Sequence, residues 1–160
     1  MNLALLALAL GGFAIGTTEF VAMGLLPELA ADLLPGLYQS NPEEATAQAG
    51  WLISAYALGV VVGAPTIAAL SARFPRKKLL LVLLVCFTLG TVASAVLPTF
   101  HLVLAARFVA GLPHGAYFGI AALVAAELMG AGKRGRGIAI VLSGLTIANV
   151  IGVPAITFLG

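Results

Sequence analysis

Three ionisable side chains, Glu19, Arg107 and His114, stand well inside apolar runs of this 160-residue sequence. A carboxylate, a guanidinium and an imidazole are groups that bind protons or steer them electrostatically. Hydrocarbon suits none of them. A central Arg or Asp costs about 2.5–3.5 kcal/mol on insertion scales, so such residues face a cavity or a partner. At 100° per residue, Glu19 shares a helix face with Gly12, Gly16 and Met23, and Arg107 shares one with Gly111, His114 and Phe118. Each polar group is therefore on the side where glycines let another helix come close. Depth is compatible too. Arg107 lies roughly 9 Å from the start of its run and Glu19 roughly 12 Å from Pro27, at 1.5 Å per residue. An antiparallel crossing would allow a Glu19–Arg107 pair, or two charges facing one cavity. The bland alternative is a buried ion pair that only fixes helix packing. His114 is equally readable as a proton-handling group and as a hydrogen-bonded packing residue.

Other chemistry is poorly supplied. There is no metal-ligand cluster and no phosphate-binding loop, and the second histidine, His101, falls at a span boundary. Tyr38 and Tyr56 read as interfacial or packing residues. Cys86 is a single cysteine inside an apolar run, a small hydrophobe with no disulfide partner. The expectation is a protein that is not an enzyme, with no catalytic residues, metal or cofactor.

The elements that must position these groups are membrane helices. The chain is 61% hydrophobic and 9% charged, with a mean hydropathy of +1.12, whereas soluble domains carry about 25% charged residues. Runs of about 20 apolar residues are long enough to cross a bilayer, and five can be read, over 3–26, 48–71, 79–97, 101–128 and 138–160. Pro27 closes the first and Pro98 the third. The start "MNLALLALALGG" lacks a basic n-region and its helix runs on too far for a cleaved signal peptide. The third span carries the fewest small or polar residues and is expected to face lipid.

Charge sets the orientation. Seven of the eight Lys and Arg fall in two clusters, Arg73/Arg76/Lys77/Lys78 and Lys133/Arg134/Arg136, placed in the loops after the second and fourth spans. Glu28, Asp32, Glu43 and Glu44 fall without a base in the 27–47 loop. The positive-inside rule makes the basic loops and the N-terminus cytoplasmic. Nucleic acid is a poor partner for charges arranged this way. Small residues four apart, at Gly12/Gly16, Gly59/Gly63 and Gly111/Gly115/Gly119, are sites where membrane helices pack. In the fourth span Pro113 tends to bend the helix. The fifth offers Gly144, Asn149, Gly152 and Pro154 on one face, an interface or a cavity wall.

Five pieces in order resemble the major facilitator superfamily, most closely its bacterial drug:proton antiporter and sugar-efflux branch. "FAIGTTEFVAMGLLPELAADL" is similar to that branch's first helix and "AGWLISAYALGVVVGAP" to its second. "ALSARFPRKKLLL" stands at the place of the loop 2–3 motif, "RFVAGLPHGAYFG" resembles the fourth-helix motif, and "GLTIANVIGVPAITFLG" the fifth-helix antiporter motif. The resemblance implies an all-helical transmembrane bundle in a bacterial inner membrane that exchanges protons for small molecules such as drugs, sugars or nucleosides. It gives Arg107 a role in proton coupling or cavity charge and places Glu19 at the central cavity. Arg73, Arg76 and Lys77 take basic positions of the cytoplasmic gating loop, and Gly144, Gly152 and Pro154 the seal against leaks. The usual Asp and Gly of the loop motif are replaced by Ala72 and Pro75. Such transporters have two six-helix halves with the site between them. Residues 1–160 are therefore expected to be an incomplete N-terminal half whose partners are the lipid bilayer, protons, a substrate and a missing C-terminal half. The rivals are a structural membrane protein, an inactive truncated product, or passive uptake.

Overall fold

The computed structural model describes residues 3–71 and 73–159; Ala72 and Gly160 lie outside them. Every regular element among the described residues is helical. Helix α1 spans Leu3–Gly24, and three short helices follow: α2 (Leu26–Leu33), α3 (Pro35–Ser40) and α4 (Pro42–Ala49). Then come α5 (Trp51–Ser71), α6 (Arg76–Val96), α7 (Phe100–Met129) and α8 (Arg134–Ile147). A π-helical turn at Ala148–Gly152 joins α8 to α9 (Val153–Leu159). Five segments are long and apolar enough to cross a membrane: α1, α4–α5, α6, α7, and α8 with its continuation. The protein is an all-α transmembrane bundle.

The 27–47 stretch, expected as a loop, is helical instead. Pro27, Pro35 and Pro42 each fall at the first or second position of a short helix. There the missing N–H has no partner to lose and the fixed φ favours the helix. Asn41 caps α4: its side-chain oxygen accepts from the Glu44 amide at 3.2 Å while its own amide donates to the Glu44 carboxylate at 3.2 Å. The basic clusters also differ from expectation. Arg76, Lys77 and Lys78 form the first turn of α6, and Arg134 and Arg136 belong to the first turn of α8, so only Arg73 and Lys133 lie in the connections. A cation at a helix N-terminus and an anion near a C-terminus both oppose the helix dipole. Arg76, which starts α6, and Glu127, in the last turn of α7, pair with each other.

Helix α7 is the central post. Half of its apolar membrane-spanning stretch is buried, against 17% for α6, the least buried span. Around α7 gather Leu5, Leu8 and Ile15 from α1, Tyr56 from α5, Leu80, Leu83 and Phe87 from α6, and Val141 from α8. The α5–α7 contact is made backbone to backbone. A Cβ on Gly59 would run into the Phe108 carbonyl, one on Gly63 into Leu112, one on Gly111 into the Tyr56 carbonyl, and one on Gly115 into the Val60 carbonyl. On the other side, Gly144 meets Ala9, Gly12 meets Phe118 and Val141, and Gly16 meets Leu145 and Ala148. Gly119 does not pack: it is exposed, and a Cβ there would meet nothing within 4 Å. Each four-residue step turns about 40° past a full circle, so the third glycine has rotated off the face that α5 covers.

Pro113 does not interrupt α7, which runs through it as one helix of 30 residues. The irregular turn is in the fifth span, where the Val153 amide reaches back to the Ala148 carbonyl just before Pro154. Several hydroxyls in the spans are satisfied locally, which suits a bilayer. Thr17, Thr18, Thr66 and Thr88 each donate to the carbonyl one turn back.

Candidate functional site

Glu19 on α1, Tyr56 on α5, and Arg107, His114 and Phe118 on α7 converge between three helices. The glycine contacts bring α5 and α7 close enough for a side chain of one to reach past the backbone of the other. The Tyr56 hydroxyl lies 2.6 Å from His114 Nδ1 in a buried hydrogen bond. The Arg107 guanidinium stands over the Tyr56 ring, 4.5 Å from its centroid. A Glu19 carboxylate oxygen lies 3.9 Å from the same Nδ1. Phe118 packs against the imidazole with ring centroids 5.1 Å apart. The polar groups thus form one chain, Arg107–Tyr56–His114–Glu19, drawn from three elements.

That arrangement differs from a direct Glu19–Arg107 ion pair, which is not formed among the described residues. Depths counted from the outer ends of two helices are comparable only where those ends are level. In the fold Glu19 registers with His114, seven residues and roughly 10 Å along α7 from Arg107. The ring of Tyr56 takes the guanidinium instead. A desolvated cation over an aromatic face is worth about 2 kcal/mol, part of what offsets placing Arg107 in the bundle. Arg107 and His114 are buried, at 7% and 6% exposure, whereas the Glu19 side chain is 22% exposed.

Arg107 also borders a cavity of about 190 Å³, lined with Thr18, Leu52, Thr91, Ser94 and Val103 among others. Arg107 Nε and Thr91 Oγ1 have no hydrogen-bond partner among the described residues. The wall is apolar with a few polar groups.

The other residues singled out from sequence lie apart. Arg73, Arg76 and Lys77 are exposed at the basic end of the bundle. Gly144 and Gly152 are buried against α1, Gly152 beside the Thr17 hydroxyl. Asn149 and Pro154 are exposed, so the fifth-span motif does not present a single face. The π turn shifts the register between Gly144 and Pro154, and a 3.6-residue period cannot foresee that. Two tyrosines have roles that the sequence reading does not give them: Tyr56 reads there as interfacial or packing, and Tyr117 is not singled out. Tyr56 is the hub of the polar chain, and Tyr117 donates a buried hydrogen bond to the Leu8 carbonyl at 3.0 Å, tying α7 to α1. A signal for Tyr56 existed: it stands three and seven residues before Gly59 and Gly63, on the same helix face.

The family model described as Major Facilitator Superfamily matches residues 8–160. The chain belongs to the major facilitator superfamily. Members of that family are transporters rather than enzymes. Across its whole length the chain is 46% identical to the inner membrane transport protein YdhP of Escherichia coli K12, of which it covers 39%. It is 40% identical over 159 residues to the putative transporter AraJ of the same organism, covering 38% of that protein. A chloramphenicol resistance protein of Streptomyces lividans is 39% identical over 160 residues, again with 38% covered. The chain thus spans well under half the length of these relatives. No solved structure matches it significantly.

Proposed function

We propose that this chain is the N-terminal membrane portion of a proton-coupled efflux permease of a bacterial inner membrane. The observation that carries the reading is the polar chain in the bundle core. An acid with access to water lies one imidazole and one phenol away from a buried arginine. Proton binding at Glu19 changes the charge facing Arg107, and a two-state bundle is biased by any ligand that prefers one state. Substrate binding then falls to an apolar cavity shared with the remainder of the transporter. The class is small molecules such as drugs, sugars or nucleosides; the relative named for chloramphenicol resistance makes chloramphenicol the first to try. The basic end faces the cytoplasm by the positive-inside rule, which puts the N-terminus inside and the acidic helices α2–α4 outside.

The test is efflux from cells carrying the full-length protein, with chloramphenicol, arabinose and a nucleoside as probes. Energised cells exporting a probe lose that export in Glu19→Gln and in Arg107→Ala, at unchanged protein level in the membrane. Export that survives both substitutions overturns the reading.

A further inference from the structure

His114 Nδ1 has two suitors, the Tyr56 hydroxyl at 2.6 Å and the Glu19 carboxylate at 3.9 Å. Only the first is within hydrogen-bond range. Tyr56 is 2% exposed, and among the described residues His114 is the one hydrogen-bond partner of its hydroxyl. If the imidazole carried its proton on Nδ1, that proton would point at the phenol oxygen and leave the phenol's own proton buried with no acceptor. Such an orphan donor costs about 1–3 kcal/mol. With the phenol donating to a bare Nδ1, the buried phenol proton and Nδ1 satisfy each other, and the imidazole proton sits on Nε2, which is not one of the fully buried atoms left without a partner among the described residues. Water access divides the pair in the same sense, since the Glu19 side chain is 22% exposed and that of His114 is 8%.

We infer that Tyr56 is the positioning residue of this site: its hydroxyl caps Nδ1, locks His114 as the neutral Nε2–H tautomer, and leaves Glu19 as the group that takes the proton. The inference rests on the reading of Glu19 as the proton-binding residue and specifies which neighbour keeps it so. The groups facing His114 are Glu19 from α1, Tyr56 from α5, and Arg107 on its own helix. The ionisable side chains of α6 and α8 do not reach it. Arg76, Lys77, Lys78, Arg134 and Arg136 lie in first turns near Glu127, roughly 20 Å along α7, and Cys86 is exposed on α6. Because Arg107 stacks on the ring whose hydroxyl caps His114, a movement of Tyr56 on α5 alters both contacts together.

The test is nitrogen-15 solid-state NMR of the full-length protein, labelled at histidine and held in lipid bilayers. The His114 signal is the one missing from His114→Gln. At a pH where neutral imidazole dominates, the parent shows His114 as one tautomer, with Nε2 protonated and Nδ1 bare. Tyr56→Phe keeps the ring over Arg107 and removes only the cap, so the Nδ1–H form rises by about two- to tenfold, the worth of one hydrogen bond. Glu19→Gln leaves the tautomer fixed. An Nδ1–H tautomer in the parent, a Tyr56→Phe spectrum identical to it, or a tautomer change in Glu19→Gln each overturns the inference. A tautomer result as expected, with transport indifferent to Glu19→Gln, removes the proton-coupling reading and leaves the Tyr56 assignment standing. The reverse pair of results removes the assignment alone.

Discussion

At residue scale the informative side chains are the tyrosines, which carry no formal charge. Tyr56 joins Arg107 to His114, and Tyr117 joins α7 to α1 through the Leu8 carbonyl. Removing the second contact has a defined cost: Tyr117→Phe keeps the ring and loses one buried hydrogen bond. Thermal unfolding in detergent should show a loss of about 0.5–1.5 kcal/mol, and an unchanged midpoint would mean that the bond contributes nothing. The charged residues of the core were legible because a charge in an apolar run is anomalous on its face. Their partners were not. A tyrosine is unremarkable in a membrane helix, and the choice between Arg107 and His114 as neighbour of Glu19 turns on a register that depths estimated from loop positions do not resolve.

At the scale of elements, glycine position on the helix decides which helices meet. Gly59 and Gly63 of α5 lie against Gly111, Leu112 and the backbone beyond, so the four-residue spacing read from sequence marks a real close approach. The same rule overreached at Gly119, where the 40° drift per step had carried the residue away from α5. Two substitutions separate these cases. Gly59→Val forces the Phe108 carbonyl and the whole of α7 aside, and should cost at least the about 1–3 kcal/mol of an overpacked core. Gly119→Ala meets open space and replaces a poor helix former, so it should be neutral or gain up to about 1 kcal/mol. Equal effects in an unfolding assay would contradict the packing described. Proline was harder to read. Pro27, Pro35 and Pro42 begin helices, Pro113 sits within one, and the π turn precedes Pro154. Proline marks a missing donor, and the neighbouring sequence does not say whether the chain starts a helix there or rides through.

For the whole molecule, composition and periodicity carried the fold class and the number of spans, because a bilayer permits few ways of satisfying a backbone. Sequence also gave an orientation, which can be tested in one experiment. In a Cys86→Ala background, a membrane-impermeant maleimide should label Ser40→Cys in intact cells and Lys133→Cys only after the membrane is opened. The opposite pattern would place the acidic helices inside. The central claim, that the polar chain around Glu19 couples transport to protons, is tested most directly by proton movement itself. In energised everted vesicles holding the full-length protein, adding a transported substrate should release protons from the lumen, and Glu19→Gln should abolish that release while the protein stays in the membrane. Substrate movement with no proton release in the parent, or the same release in Glu19→Gln, would contradict the account.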